Sequence, residues 1–389
     1  MSERLALKYG NNPHQGQACV HAAPKLPFKV LNGTPGYINL LDALNAWQLV
    51  SELATATGFP AAASFKHVSP AGAAVATPLS EELAGVYEVK GKSLSALATA
   101  YVRSRNADPK SSFGDFVALS ETVDQSTADI LRIEVSDGVI APGYSSEALE
   151  ILQKKKGGKY IVLQIDPSFV PPKVERREIF GVTFEQERND AKITPELFSK
   201  IVTENETVDA SAIRDLIVAS VAAKYTQSNS VVYAVDGQVI GVGAGQQSRV
   251  DCVRLAGQKV ETWYLRQHPN VTTLKFLPTV NRVSRVNARV RYIEGDFSET
   301  EYKEWVSQFE AAPAPLTIEE KTEFMKTLDR VALCSDAFFP FRDNIDQAAK
   351  RGVKFISQPG GSVQDESVIA ACNQHGITMA FTDLRLFHH

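Results

Sequence analysis

Leu40, Leu44, Trp47, Val50 and Ala54 recur at helical spacing, which predicts a helix with one apolar stripe. Gly58-Phe59-Pro60 breaks it, and the small apolar run from Ala61 to Phe65 reads as a buried strand. From Ser111 the pattern predicts strand (Phe113 to Leu119), helix (Ser126 to Ile133), strand (Gly138 to Ala141), helix (Ser146 to Lys155) and strand (Tyr160 to Ile165). A second series starts near Cys334: strand (Ala337 to Phe341), helix (Ile345 to Lys350), strand (Val353 to Ser357), helix (Glu366 to Gln374) and strand (Ile377 to Thr382). The repeated alternation predicts an α/β fold of two related units produced by duplication, over residues 1–176 and 267–389. Residues 177–266 then form a mainly helical connecting region, with a stripe at Ile213, Leu216, Ile217 and Val221 and a hairpin turning at Asp236-Gly237. The end of the chain, Thr382 to His389, alternates apolar and polar as an edge strand would.

Composition narrows the function classes. With 41 basic and 45 acidic side chains the net charge is −4, so the chain lacks the basic signature of a nucleic-acid binder, and any anionic ligand must be held locally. Cys19, Cys252, Cys334 and Cys372 stand singly with no CxxC pair, against structural zinc and a disulfide framework, and in keeping with a reducing cytosol. Met1 to Leu5 hold no signal core and no run reaches the roughly 18 apolar residues of a membrane span, so a cytoplasmic protein without a membrane partner is expected.

The reactive address is Ser64-Phe65-Lys66-His67-Val68-Ser69-Pro70-Ala71-Gly72. A strand would throw Lys66 and His67 to opposite faces, so a shared site requires the backbone to leave β geometry here, as Ser69-Pro70 and Gly72 permit. Histidine takes a proton near neutrality and an ammonium holds developing negative charge. A surface Lys-His pair at a strand end is the competing reading. The pair closes a strand, and open α/β sheets bind ligands at strand carboxyl ends.

Gly241-Val242-Gly243-Ala244-Gly245-Gln246-Gln247-Ser248-Arg249 bares amides ahead of a helix and suits an anion, yet its GxGxG spacing meets no nucleotide fingerprint and also suits a tight packing turn. In Ser335-Asp336-Ala337-Phe338-Phe339-Pro340-Phe341-Arg342-Asp343, Phe339 and Phe341 read as core, with Phe338 and Asp343 pointing the other way. Lys154, Lys155 and Lys156 read as a solvated helix end more than as a docking patch for a polyglutamate tail. His388-His389 is too short for a tag and incomplete as a metal site.

Tyr9-Gly10-Asn11-Asn12-Pro13-His14-Gln15, the Lys66-His67 segment, Ser111-Ser112-Phe113-Gly114-Asp115-Phe116, Val135-Ser136-Asp137-Gly138, Gly243 to Arg249 and Arg385-Leu386-Phe387-His388-His389 together resemble the AICAR transformylase family, the formyltransferase half of the bifunctional purine-biosynthesis protein. The likeness runs from Leu7 to His389. It implies two cytidine-deaminase-like domains and a homodimer with shared active sites. Zinc is not expected, because the H-x-E and P-C-x-x-C ligands of a zinc deaminase are missing, and a monovalent cation stays open.

The implied reaction moves a formyl group from 10-formyltetrahydrofolate to the amine of AICAR. By the same resemblance His67 is the base, Lys66 stabilises charge, and Asn229 aligns AICAR. Lys8, Tyr9, Gly114, Asp137, Arg249, Phe338 and Arg385 resemble AICAR contacts, while Val250, Asp343, Ser362 and Val363 fall on folate-side positions. Lys8 replaces the family's usual arginine and Val363 a small residue. Met1 stands seven residues ahead of Lys8-Tyr9-Gly10, so no IMP cyclohydrolase activity is expected of this polypeptide. The alternatives are a deaminase-type hydrolase and a non-catalytic nucleotide-binding or dimerisation module.

Overall fold

Eleven strands join into one mixed sheet in the computed structural model, which describes residues 3–389. In chain order they are β1 (Phe28–Asn32), β2 (Ala61–Lys66), β3 (Ser69–Val75), β4 (Asp115–Leu119), β5 (Ser136–Ala141), β6 (Ile161–Ile165), β7 (Val231–Val235), β8 (Gln238–Gly243), β9 (Val331–Ser335), β10 (Val353–Gln358) and β11 (Thr378–Phe381). Across the sheet they run β11-β10-β9-β7-β8-β3-β2-β4-β5-β6-β1. The runs β3-β2-β4-β5-β6 and β8-β7-β9-β10-β11 have the same pattern: a hairpin, an antiparallel step, then two parallel steps. They meet where β3 pairs antiparallel with β8, Ala74 opposite Gln238.

The main helices repeat too. They are α1 (Tyr37–Thr57), α2 (Ala96–Asn106), α3 (Gln125–Ile133), α4 (Ser146–Lys154), α5 (Ala210–Lys224), α6 (Arg249–Leu265), α7 (Asp343–Ala349) and α8 (Asp365–Gln374). The α/β class and the duplicated alternation are therefore present. The hairpin β7–β8 and its helices α5 and α6, expected in a connecting region, instead lie within the second run of the sheet. Further helices at Arg282–Glu294, Glu299–Val306 and Ile318–Met325 intervene before β9 and carry a small core of their own around Tyr292, Trp305 and Phe309.

On one face α1 and α5 pack together over Ala63, Phe65, Ala73, Val232 and Ala234, and on the other Ala62, Val117 and Val139 meet α2, α3 and α4. The buried face of α1 is Leu40, Ala43, Ala46, Leu49, Val50 and Leu53; Leu44, Trp47 and Ala54 are only partly covered. The expected stripe was thus rotated slightly, because alanines read as neutral letters although their small size lets the helix approach its neighbours.

Two strand predictions fail. The strand near Cys334 is Val331–Ser335, and residues 336–341 form a loop. Phenylalanines favour strands by letter, but beyond Asp336, whose amide still meets Ser230 O in register with β7, the amide of Phe339 is bonded to the side chain of Gln358 and leaves the ladder. Thr382 to His389 is likewise irregular; the sheet ends at β11, and this tail is held by Leu386 N–H on Asp336 O and Ser228 N–H on His388 O. Phe339 is buried as expected, whereas Phe341 is exposed.

Candidate functional site

Strand direction collects the candidates along one edge of the sheet. β2 ends there at Lys66, β3 begins at Ser69, and β4 and β5 begin at Asp115 and Ser136; in the other half β7 begins at Val231 while β8, β9 and β10 end at Gly243, Ser335 and Gln358. The parallel strands of the first run start at this edge and those of the second finish there. The carboxyl-end rule therefore describes only the second half, and Lys66-His67 reach the edge through the antiparallel strand β2.

The departure from β geometry lies at His67 and Val68, not at Ser69-Pro70. Lys66 pairs with Ser69, so His67-Val68 is a two-residue hairpin loop, and both residues have positive φ, 53° and 62°. A valine in that region is costly, because its branched Cβ crowds the backbone. Asp42 on α1 holds the loop. Its Oδ1 accepts the Val68 amide at 2.6 Å, and the nearby His67 amide also favours the carboxylate. Asp42 is only 6% exposed, and burial lifts its carboxyl from 3.8 to about 6, against the pull of those amides and of a charged His67.

Beneath the loop, Arg105 fixes the segment that receives Lys66. Its Nη1 donates to Asp115 Oδ1 and Ser112 O at 2.9 Å, and its Nε to Glu134 Oε2 at 2.9 Å. Ser64 Oγ donates to Asp115 Oδ2 at 2.6 Å. Burial raises the Asp115 carboxyl while Arg105 opposes it. On this base Lys66 Nζ donates to Phe113 O at 2.5 Å, beside Gly114, where φ is 76° and an added Cβ would stand 3.9 Å from the ammonium. Asp137, at the start of β5, takes Lys156 Nζ at 2.6 Å. Lys154 and Lys156 are exposed, but Lys155 turns inward to Leu131 O and Ser136 Oγ, and burial pulls its ammonium down to about 7. The reading of a wholly solvated helix end is corrected at that residue.

A second cluster forms at the start of β7. Arg249 is buried, donating through Nη2 to Asn229 Oδ1 at 2.8 Å and through Nη1 to Ser230 O and the buried Asp336. Asp336 Oδ2 also takes Ser228 Oγ at 2.6 Å and the Ser230 amide at 3.0 Å. Gly241 and Gly243 lie in β8 against α6, where an added Cβ would stand 2.4 Å from Ala256 O and 2.3 Å from Cys252 O. These two glycines serve close packing. The clusters touch where Gln227 N–H meets Ser69 Oγ at 3.3 Å.

The other candidates share the edge without direct bonds to these clusters. Tyr9 packs against Gly36 just before α1, with Lys8 Nζ 5.8 Å from its ring centre. Val250 follows Arg249 on α6 and is half-buried. Phe338 and Asp343 are exposed around the start of α7, Ser362 and Val363 lie before α8, and Val363 is 98% exposed. Arg385 is exposed, stacked 4.6 Å from the Phe387 ring centre, with no carboxylate in ion-pair range among the described residues. Among those residues no group of three or more His, Cys, Asp or Glu is placed to hold a metal ion, and no helix is long and apolar enough to cross a membrane.

Sequence reasoning missed Asp42, Asp336 and Arg105 as supports. The available signal for Asp42 was a lone carboxylate between Leu41 and Ala43 in an apolar helix.

The comparisons agree on one family. A family profile described as "AICARFT/IMPCHase bienzyme" matches residues 1–259. The bifunctional purine biosynthesis protein PurH of Magnetococcus marinus is 32% identical over 98% of this chain and 59% of its own length. Those of Roseobacter denitrificans, 32% identical, and Xylella fastidiosa, 33% identical, likewise match over 98% of this chain and 59% and 58% of their own lengths. The chain thus spans about 59% of the length of these curated relatives. By the extent of the profile match and by these identities, the chain belongs to the AICARFT/IMPCHase bienzyme family.

Proposed function

We propose that this chain transfers the formyl group of 10-formyltetrahydrofolate to the 5-amino group of AICAR, a step of purine biosynthesis. Family membership supports the substrates; the observation that carries the site is the His67-Val68 loop, which frees His67 from the strand while Lys66 is anchored on the Phe113 carbonyl.

The amine of AICAR is conjugated with the ring carboxamide and is a poor nucleophile. His67 takes its proton as the nitrogen attacks the formyl carbon, a contribution of about 10²–10⁴-fold for a well-placed base. Lys66 faces the oxyanion of the tetrahedral intermediate. Collapse of that intermediate breaks the bond to the folate nitrogen, which leaves with a proton returned to it. Asn229, aligned by Arg249, orients the carboxamide. Lys8, Tyr9, Gly114, Asp137, Phe338 and Arg385 complete the nucleotide side, with the unpaired Arg385 fork suited to phosphate. Val250, Asp343, Ser362 and Val363 form the folate side.

A homodimer of two cytidine-deaminase-like units per chain belongs to the same reading. The hairpin of Val174–Ile179 and Val182–Glu187 supports it: among the described residues these strands pair only with each other, and Ile179, Phe180, Val182 and Phe184 are all exposed. An isolated hairpin is marginal in water, so a second copy is its natural cover.

The test is turnover of purified protein with AICAR and 10-formyltetrahydrofolate, followed by the absorbance of tetrahydrofolate. The proposal predicts turnover that requires both substrates. Nucleotide binding without turnover in folded dimer would replace it with a binding module.

A further inference from the structure

The hairpin β7–β8 of the second run occupies the place that β2–β3 holds in the first, at the opposite edge of the sheet. Its two-residue loop, Asp236-Gly237, also has both φ values positive, 49° and 73°. This loop too is held by a buried aspartate of the preceding helix, Asp215, whose oxygens accept the Asp236 amide at 2.8 Å and the Gly237 amide at 2.6 Å. Asp42 and Asp215 are each the sixth residue of their helices, Tyr37–Thr57 and Ala210–Lys224. The duplicated fold therefore contains one device twice, a helix aspartate clamping a left-handed loop. Two differences separate the copies. Asp215 bonds Arg214 Nε at 3.0 Å, whereas Leu41 precedes Asp42, and the charged groups facing Asp42 are His67 and Asp115. Asp-Gly adopts the loop readily, but His-Val does not.

We propose that Asp42 is a positioning residue for formyl transfer: its carboxylate holds His67-Val68 in the left-handed loop that brings His67 and Lys66 to one site. This rests on the function proposed above. Asp42 does not touch substrate on this account; it acts through the backbone of the base.

Matched variants test it. Asp42→Ala is expected to lower kcat by about 10–100-fold with KM for AICAR within about threefold, because the loop relaxes toward ordinary turn geometry. Asp215→Ala, at the loop without chemistry, is expected to lower Tm and leave kcat unchanged. The decisive variant adds Val68→Gly to Asp42→Ala: glycine adopts positive φ without the clamp, so kcat should recover at least tenfold over Asp42→Ala alone. If Asp42→Ala does not fold, Asp42→Leu, which is close in volume and has no acceptor for the Val68 amide, gives the same comparison with and without Val68→Gly. Loss of Tm with unchanged kcat, or no recovery on adding glycine, overturns the proposal. Hydrogen exchange at the Val68 amide separates this from the fate of the proposed function. In a protein with no transformylase turnover, faster exchange in Asp42→Ala would uphold the clamp, and unchanged exchange would remove it.

Discussion

The loops at His67-Val68 and Asp236-Gly237 close equivalent hairpins with both φ values positive and an aspartate bonded to the loop amides, yet only one carries side chains of the proposed chemistry. At Asp236-Gly237 the letters suit the geometry. At His67-Val68 they do not, and each residue there holds its conformation at a cost of about 1–3 kcal/mol relative to relaxed backbone. The difference teaches where this fold stores strain. On the proposed function, the first half gives up turn propensity to present His67 and Lys66, with the buried Asp42 bonded to the loop; the second half keeps propensity and carries Asn229 and Arg249 at its opposite end.

The largest break in the comparison is His67→Ala. Turnover should fall by about 10²–10⁴-fold, with AICAR affinity within about tenfold by calorimetry, whereas Asp236→Ala should leave kcat near wild type. Next comes the clamp's response to pH. The Asp42 carboxyl holds its proton up to about 6 in the folded chain against an ordinary 3.8, so between those values the folded chain binds the extra proton. Stability accordingly declines as pH rises through that window and levels off above it, by up to about 3 kcal/mol for two pKa units. Asp42→Asn, which cannot ionise, should flatten Tm against pH between about 4 and 6.

Gly237→Val probes the quiet loop. φ is 73° there, and an added Cβ would stand 2.7 Å from Thr77 Cγ2 and 2.8 Å from Val75 Cγ2, so a loss of about 2 kcal/mol in denaturant unfolding is expected with kcat intact. The smallest effect is the converse graft. His67→Asp with Val68→Gly should gain about 1 kcal/mol in the same assay while abolishing turnover.

The regular alternation of β4 to β6 and β9 to β11 was legible because each strand and helix is long enough to show its period. The place of Lys66-His67 at the end of a strand was legible from its letters. Three features were not. Residues 336–341 carry strand-forming phenylalanines in a loop whose shape is set by Gln358 and Ser230, far away in sequence. Arg249 reads as a free cation at a helix start, but Asp336, 87 residues on, turns it inward to Asn229. Asp42 looks like any helix carboxylate until the hairpin 26 residues later folds against it. Sequence motifs identified much of the edge, while long-range pairing decided what holds each residue there.

The most direct measurement is the fate of a ¹³C-labelled formyl group on 10-formyltetrahydrofolate, followed by NMR in the presence of AICAR with wild type and His67→Ala in parallel. The account predicts that the label appears on the nucleotide amine with the wild type and stays on folate with the variant. Label released as formate, or equal transfer by His67→Ala, would contradict formyl transfer with His67 as its base.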